Sequence, residues 1–442
     1  MIKKISVILP SLNVSPYITK CVKSIITQSY PNLSLLCIDA GSTDGTLEIL
    51  EEFASRDDRI RIIHSDRKSY GYQVNLGIRE ADGDYVAIVD TDDHVEPDFY
   101  ESLLAAADQG VDVIKCNSAG FKEIDGIVMR TEMRRLPEKS LFGNKITGEK
   151  IRDFTLTDSS IWNGMYRRDF LLKNHITLSE TPGAAYQDTG FKYQVFFHAD
   201  SVYYLDRALY DYRMDRDESS TYSPKALHNV VYEYDRLINE IFPDQHISQE
   251  AWDALWKGEI SYFFGEFYRT IRLADYDAAR DFIAKPYNTY RRLAEDHPRE
   301  IERALASLDD ATRVNFDLIM HDIEAYTEYR HSVDRVEQHR ADSIRRAANG
   351  RHLIIVGNGM RGKGLYQKCF DYDIPVDAYA DNDSKKWSDE TNYSPEILSP
   401  ENAVEKYSDD VFFIANKNHE EELRQQLLNL GVDEGGIVIW HP

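Results

Sequence analysis

The chain has 442 residues, of which 42% are hydrophobic and 12% aromatic, so it can bury more than one domain core. It carries 52 Lys and Arg against 76 Asp and Glu, a formal net charge of −24. Because nucleic-acid affinity depends on cationic side chains that neutralise phosphates, this balance argues against a nucleic-acid partner.

Cysteine usage and hydropathy indicate the compartment. The four cysteines form no C-x-x-C pair, which argues against a zinc site or a disulfide framework and fits a reducing cytoplasm. The N-terminus lacks the apolar core of a signal peptide, and no run approaches the roughly 20 apolar residues of a membrane-spanning helix. We therefore expect a cytoplasmic protein, with peripheral association at the inner face of the cell membrane as the alternative.

Up to about residue 120, short β-rich runs alternate with helical patterns. The predicted strands are 5–9, 33–38, 60–64 and 85–89, and the predicted helices are 15–28, 46–54 and 73–80. Near-continuous apolar strands separated by helices indicate a parallel sheet covered on both faces. In such sheets ligands bind at the carboxyl ends of the strands.

The rest of the chain changes period twice. From about Pro224 to Arg346 the apolar residues follow helical spacing only, and from Arg351 a β-α-β pattern returns. An aromatic stripe in the helical part is expected to be core, with a carbohydrate platform as the alternative. We predict an α/β protein with three domains: a mostly parallel-sheet domain (1–222), a helical domain (223–346) and a small Rossmann-like domain (347–442).

Three carboxylates follow the fourth predicted strand, in Val89-Asp90-Thr91-Asp92-Asp93. Carboxylates this close repel one another unless a cation lies among them. A hard divalent cation such as Mg²⁺ or Mn²⁺ binds one or two carboxylates together with substrate phosphates. Taken alone, the motif is equally typical of a solvated acidic turn.

The other strand ends carry polar loops. PSLN (10–13) ends the first strand, DAGSTDGT (39–46) follows the second, and SYGY (69–72) leads into a helix that contains Asn75. Asp39 is placed to accept a hydrogen bond from a base or ribose. A turn carboxylate that accepts from nearby backbone amides is the alternative.

The order VILPSLN, CIDAGSTDGT, GYQVNLGIREADGDYVAIVDTDD and EPDFYE resembles the family 2 glycosyltransferases of the GT-A fold, over residues 3 to about 222. The resemblance implies an inverting transfer from a UDP-sugar to a hydroxyl of a glycan or lipid-linked acceptor. Such enzymes typically serve bacterial surface or capsular polysaccharide synthesis. A divalent cation, Mn²⁺ or Mg²⁺, is also implied, and a homo-oligomer is left open.

The resemblance also implies a donor side. Its expected residues are Pro10, Ser11, Asn13, Asp39, Ser42, Gly71, Asn75, Asp90, Thr91, Asp92 and Arg213. Asp90 and Asp92 form the implied D-x-D metal motif, with Asp92 the best direct ligand. Where the family often has Arg, this chain has Val74, so Arg67 and Lys68 are candidates for the missing contact.

The segment 181–191 resembles the family's Glu-Asp motif, whose Asp is the general base, although Gln187 replaces the usual Glu. Asp188 is therefore the predicted base for the acceptor hydroxyl, and a helix N-cap is the alternative. Trp162, Asn163 and Gln187 are expected on the acceptor side, with a plain core position as the alternative for Trp162.

Two further segments carry weaker signals. The run 209–213 with Ser219 and Ser220 resembles the family's Tyr-Arg…Ser ending. This resemblance implies that Arg213 or the serines contact the diphosphate, and a structural lid is the alternative. The C-terminal region has Gly357, Gly359 and Gly362 between a strand and a helix, with Asp381 beyond, which is a dinucleotide fingerprint. We expect a structural or interaction role there, with cofactor binding as the alternative.

Two rival functions differ in class. A nucleotidyltransferase also uses a parallel sheet and acidic metal ligands, but residues 11–14 are not the glycine-rich pyrophosphate loop expected of it. A non-catalytic nucleotide- or glycan-binding scaffold is disfavoured because Asp39, Asp90, Asp92 and Asp188 are all present.

Overall fold

The computed structural model describes residues 3–107, 110–133, 136, 138–151, 158, 160–216, 226–243, 247–273, 276–387 and 395–441. The chain forms two compact units. The first comprises Met1–Ala119, Met133–Tyr212 and Arg216–Glu328. The second comprises Gly120–Glu132, Arg213–Asp215 and Tyr329–Pro442.

The larger sheet combines parallel and antiparallel pairs. Its strands are β1 (Ile5–Ser11), β2 (Leu33–Asp39), β3 (Ile60–His64), β4 (Tyr85–Ile88), β5 (His94–Val95), β6 (Val113–Ile124), β7 (Ile127–Met133), β8 (Lys145–Thr147), β9 (Gly164–Arg167) and β10 (Ser201–Arg213). Their spatial order is β3-β2-β1-β4-β9-β6-β10-β5, with β7 on β6 and β8 on β10. The pairs among β1 to β4 are parallel, whereas β9 is antiparallel to β4 and β6.

Helices cover both faces of the parallel strands. They are α1 (Ser15–Ile26), α2 (Thr46–Ala54), α3 (Tyr70–Glu80), α4 (Phe99–Ala107), α5 (Arg168–Lys173) and α6 (Gln187–His198). All seven residues of β1 are buried, as the predicted two-sided cover requires. Helix α3 begins at Tyr70, before the predicted start at Gln73, because the Ser69 side chain accepts from the Tyr72 amide and caps it.

The helical region is confirmed. Its helices are α7 (Ala226–Arg236), which continues as a π-helical turn (Leu237–Ile241), α8 (Gln249–Leu273), α9 (Tyr276–Asp296), α10 (Pro298–Ala306), α11 (Asp310–His321) and α12 (Ile323–Ala348). The aromatic stripe is core, since Trp256, Phe263 and Phe267 are at most 1% exposed. The Phe263 ring stacks on Tyr290 with centroids 3.7 Å apart.

The second unit contains a parallel five-stranded sheet. Its strands are β11 (Leu353–Val356), β12 (Ala378–Ala380), β13 (Glu396–Leu398), β14 (Val411–Ile414) and β15 (Ile437–Ile439), in the order β13-β12-β11-β14-β15. Helices α13 (Met360–Asp371), α14 (Pro400–Lys406) and α15 (Glu420–Leu430) accompany them. The sequence does not predict β13, because its three residues are only half-buried and show no clear period.

The tip of the β6–β7 hairpin belongs to this second unit. Met129 is fully buried in the core that contains Leu353 and Phe370. The Lys122 ammonium donates to the Phe370 carbonyl oxygen at 2.8 Å and pairs with Asp373 at 2.7 Å. The second unit is therefore completed by a segment from the first third of the chain.

The described helices and the cysteines bear on the membrane and on disulfide bonding. Among the described helices, none is long and apolar enough to cross a membrane. All four cysteines, Cys21, Cys37, Cys116 and Cys369, are buried thiols outside any disulfide. They pack as small apolar side chains.

One carboxyl group of the helical region is buried without a partner. Glu259 on α8 is 1% exposed, and neither carboxyl oxygen has a hydrogen-bond partner within the described part of the chain. Burial, and then the charge of Asp235, raise the pKa of Glu259 to about 8. In the unfolded chain such a group ionises near pH 4 to 5, so folding holds it protonated.

We therefore predict that Glu259→Gln reduces the loss of stability at high pH. Between the unfolded and folded pKa values, ionisation favours the unfolded chain by about 1.4 kcal/mol per pH unit. Urea unfolding from pH 5 to 8 should show the variant and the natural chain converging at pH 5 and the variant more stable at pH 8. The exposed residue Glu250, mutated to Gln, is the control, and a gap that is independent of pH would contradict the prediction.

Candidate active site

The carboxyl ends of β1, β2 and β4 lie at one edge of the larger sheet. Ser11 at the end of β1 is in register with Asp39 at the end of β2. β4 pairs with β1 up to Ile8 and Ile88, and the acidic turn follows directly. The predicted polar loops therefore gather at this edge.

A cavity of about 520 Å³ opens here. Of the residues predicted to hold the donor, Pro10, Asp90, Thr91 and Asp92 line it. Lys68 also lines it. The Thr91 hydroxyl donates to the Pro10 carbonyl oxygen at 3.0 Å, which ties the acidic turn to the end of β1.

The predicted nucleotide-binding residues join the first two loops. The Asp39 carboxylate accepts from the backbone amides of Gly41 at 2.9 Å and Ser42 at 3.2 Å. Asn13 is in the left-handed region at φ +52°. Its backbone N–H donates to the Ser42 hydroxyl at 3.0 Å, and its side-chain oxygen accepts from the Thr43 backbone amide at 2.9 Å. These bonds agree with the turn interpretation of Asp39, and contact with a nucleotide stays a prediction.

Gly71 and Asn75 fix α3 against the segment 178–180. The Asn75 amide group donates to the Leu178 carbonyl oxygen, and its side-chain oxygen accepts from the Leu178 amide, both at 2.9 Å. A Cβ atom at Gly71 would lie 1.9 Å from the Ser179 carbonyl oxygen. Packing therefore accounts for the glycine and the asparagine at these two positions.

The three carboxylates of the acidic turn have different partners. The Tyr70 hydroxyl donates to Asp90 at 2.8 Å, Arg216 pairs with Asp92 at 3.0 Å, and the Tyr210 hydroxyl donates to Asp93 at 2.7 Å. Burial, and then the charge of Asp92, raise the pKa of Asp90 to about 7. Arg216 lies 124 residues from Asp92, and no local pattern in the sequence pointed to it.

Two neighbouring carboxylates on one cavity wall suit a hard divalent cation. The charge of Asp92 contributes to the raised pKa of Asp90, and a bound cation would offset this repulsion. Among the residues described, no group of three or more His, Cys, Asp or Glu could hold a metal ion by itself. Asp90 and Asp92 therefore fit Mg²⁺ or Mn²⁺ bound together with substrate phosphate oxygens.

A second cavity, of about 330 Å³, adjoins the first and shares Tyr70, Asp90 and Tyr212 with it. Asp188, Gln187 and Trp162 line the second cavity. The Trp162 ring stacks on Tyr212, with centroids 5.2 Å apart, and on Tyr210, at 4.3 Å.

Asn163 differs from the other predicted acceptor-side residues. It is fully buried, and its amide donates to the Cys116 carbonyl oxygen at 2.8 Å. This bond ties β9 to β6. Asn163 is not part of the lining of either cavity.

Asp188 is the second residue of α6 and borders the second cavity. The N-cap of α6 is Tyr186, at φ +64°, so Asp188 is not the cap. Burial raises the pKa of Asp188, and the charge of Lys192, one turn later, opposes this. Gln187 accepts from the Ala185 amide at 2.8 Å and donates to the Thr181 hydroxyl at 3.0 Å, so it braces the preceding loop.

The remaining donor candidates have other partners or lie outside the described residues. Arg213 pairs with Asp215 at 2.9 Å and lies over the Phe121 ring, within the second unit. Arg67 pairs with Glu180 at 2.8 Å. Ser219 and Ser220 lie outside the described residues.

The glycine-rich loop between β11 and α13 is stabilised by contacts within the second unit. A Cβ atom at Gly362 would lie 1.8 Å from the Gly357 carbonyl oxygen, so α13 approaches β11 closely. The Asp381 carboxylate accepts from the Asn358 amide at 2.7 Å and the Lys386 ammonium at 2.9 Å. A cavity of about 870 Å³ adjoins this loop.

The comparisons with known proteins agree with this geometry. Residues 6–173 match the model of Glycosyl transferase family 2, and residues 349–438 match the model C2185-like, N-terminal. The chain is 30% identical over 236 residues to the uncharacterized glycosyltransferase YibD of Escherichia coli, covering 52% of this chain and 67% of that protein. The chain belongs to glycosyl transferase family 2.

Other relatives of the chain are similarly distant. It is 29% identical over 214 residues to the putative glycosyltransferase EpsH of Bacillus subtilis, which is 48% of this chain and 60% of EpsH. The chain thus spans less than two thirds of that relative. Staphylococcus aureus TarS 1–349, solved in complex with UDP-GlcNAc, superposes with a TM-score of 0.52 at 20% identity, over 75% of this chain and 92% of that chain. This likeness confirms the predicted fold class.

We predict that Gly71→Ala disrupts the site through packing. Its new Cβ atom meets a backbone oxygen, so α3 must move away from the segment 178–180, at a cost of several kcal/mol. Gly265→Ala on α8 is the matched control, since an added Cβ there meets nothing within 4 Å and should stabilise the helix by about 0.5–1 kcal/mol. Urea denaturation distinguishes the two variants, and equal stabilities would contradict the prediction.

Proposed function

We propose that this glycosyltransferase moves a sugar from a UDP-sugar to a hydroxyl group of a glycan or lipid-linked acceptor, with inversion at the anomeric carbon. The observation that carries the proposal is the meeting of two cavities at Tyr70 and Asp90. One contains the acidic turn, and the other contains Asp188. A donor and an acceptor would thus meet between a cation site and a base.

The donor side consists of the acidic turn and the first two loops. Asp90 and Asp92 would hold the divalent cation, which when bound supplies charge stabilisation to the diphosphate leaving group. Ser11, Asn13 and Asp39 lie at the same sheet edge and are proposed to hold the uridine. The UDP-GlcNAc complex of TarS supports a UDP-linked donor.

Asp188 is the proposed base on the acceptor side. It takes the proton of the acceptor hydroxyl as the hydroxyl oxygen bonds to the anomeric carbon and the bond from that carbon to the diphosphate oxygen breaks. Attack from the face opposite the leaving group inverts the configuration. Burial favours this role, because it raises the pKa of Asp188 and makes it a better proton acceptor.

The proposed setting is bacterial surface or capsular polysaccharide synthesis at the cytoplasmic face of the membrane. Its support is the family resemblance of the motifs. The domain boundaries at 222 and 346 also stay predictions, and α12 extends across the second of them.

A nucleotide-binding scaffold would bind UDP without turning over a sugar nucleotide. A nucleotidyltransferase would release pyrophosphate or form a new nucleotide bond. Release of UDP from UDP-sugars in the presence of Mn²⁺ therefore separates the proposal from both rivals.

We predict that activity depends on a divalent cation through Asp92. EDTA should abolish transfer, and added Mn²⁺ or Mg²⁺ should restore it. Asp92→Ala should lose nearly all turnover and weaken UDP binding in the presence of metal, because a carboxylate ligand is gone. Asp58→Ala, on an exposed turn, is the control. Full activity in chelator would refute the metal assignment.

We predict that Asp188→Asn slows transfer by about 10²–10⁴-fold, because the amide cannot take the acceptor proton. The dissociation constant of UDP, measured by titration calorimetry, should change little. Asp200→Asn, at an exposed position after α6, is the matched control. Near-normal transfer by Asp188→Asn would show that another group is the base.

A further inference from the structure

The cavity that contains Asp188 has a wall supplied by the helical region. Glu266 and Arg269, one turn apart on α8, line the cavity together with Tyr186. Arg269 donates to the Tyr186 hydroxyl at 2.9 Å and pairs with Glu266. Glu266 and Arg269 lie outside the family motifs of the sequence, whereas Tyr186 lies within the segment 181–191.

Glu266 has an unpaired oxygen at this wall. The residue is 4% exposed, and its Oε2 atom is buried without a hydrogen-bond partner in the part of the chain that the structure describes. Buried polar atoms in folded proteins are nearly always paired. An unpaired carboxylate oxygen on a residue that lines a cavity therefore indicates a position for a hydrogen-bond donor of a ligand.

The charges of the lining restrict what that ligand can be. Asp90, Asp188 and Glu266 are carboxylates, and among the described lining residues Arg269 is the only cation. Arg269 is already paired with Glu266. A phosphate or carboxylate on the ligand would meet these acidic groups without a free counter-ion, so the lining favours an uncharged ligand.

The shape and the aromatic lining point to a sugar. The cavity, at about 330 Å³, lies near the lower end of the range for small-ligand sites. Trp162, Tyr212 and Tyr262 contribute aromatic surface to it. Apolar surface with a few buried polar groups suits a sugar residue, whose faces carry C–H bonds and whose rim carries hydroxyls.

We propose that this cavity binds one uncharged sugar residue at the end of the acceptor, and that Glu266 accepts a hydrogen bond from a hydroxyl other than the attacking one. Arg269 and Tyr186 hold the Glu266 carboxylate in place. The proposal rests on the proposed function, and it makes the helical region the part of the chain that selects the acceptor.

The first test compares two buried glutamates on α8. Glu266→Gln should raise the KM for an octyl hexoside acceptor by about tenfold or more, with a smaller effect on kcat. Glu259→Gln is the matched control, since Glu259 is also buried, with carboxyl oxygens that lack a partner among the described residues, but does not line the cavity. An equal acceptor KM in the two variants, assayed at pH 6.5, overturns the proposal.

The second test varies the acceptor, with the natural chain and with Glu266→Gln. Octyl glucoside, galactoside and N-acetylglucosaminide are compared with their monodeoxy and 6-phosphate derivatives. With the natural chain, we expect one monodeoxy derivative to have a kcat/KM about tenfold lower than that of its parent hexoside. With Glu266→Gln, the same derivative and its parent should have nearly equal kcat/KM values. We also expect the phosphorylated acceptors to be poor substrates. A preference for them overturns the proposal, even where Glu266→Gln does not fold.

The two proposals fail in different ways. If no UDP-sugar is turned over with any acceptor, or in its absence by hydrolysis, the proposed glycosyl transfer is wrong. If transfer occurs but is insensitive to Glu266 and prefers anionic acceptors, only the acceptor assignment is wrong.

Discussion

The close approach of α3 to the segment 178–180 is the contact on which the site depends. It requires a residue without a side chain at Gly71 and is secured by the Asn75 hydrogen bonds to Leu178. Since Tyr70 precedes that glycine, the contact also sets the position of the hydroxyl that donates to Asp90. The same segment leads into the loop before Asp188. One backbone contact thus fixes the walls of both cavities.

The local parts of this arrangement could be predicted from the sequence, because each depends on neighbouring residues. The limits of α2 and β3 agree with their hydrophobic periods, and the acidic turn follows β4 as expected. The pairing of Arg216 with Asp92 could not be predicted, since the two residues are far apart and belong to no common period. The partners of Asn75 could not be predicted for a different reason. A polar residue where a loop leads into a helix suggests contact with a ligand, but the Asn75 side chain is buried and bonds to backbone groups.

Several buried carboxyl groups lie around α6 in this acidic protein. Burial is the main cause that raises the pKa of Asp90 and of Glu233, each to about 7. Glu233 accepts from the Ser179 hydroxyl, in the segment that packs on α3. Carboxyl groups therefore surround the loop that carries the proposed base. A bound cation would offset the negative charge of such a region.

The hairpin tip that completes the second unit has a consequence for biosynthesis. Arg130 exchanges hydrogen bonds with the Tyr366 hydroxyl, a residue 236 positions later in the chain. At a translation rate of roughly 5–20 residues per second, the tip leaves the ribosome about 10–50 s before its partners. Met129 therefore has no core to pack into until the later segment has been synthesised. A gene fragment that begins after the helical region would lack this segment and would encode an unfinished core.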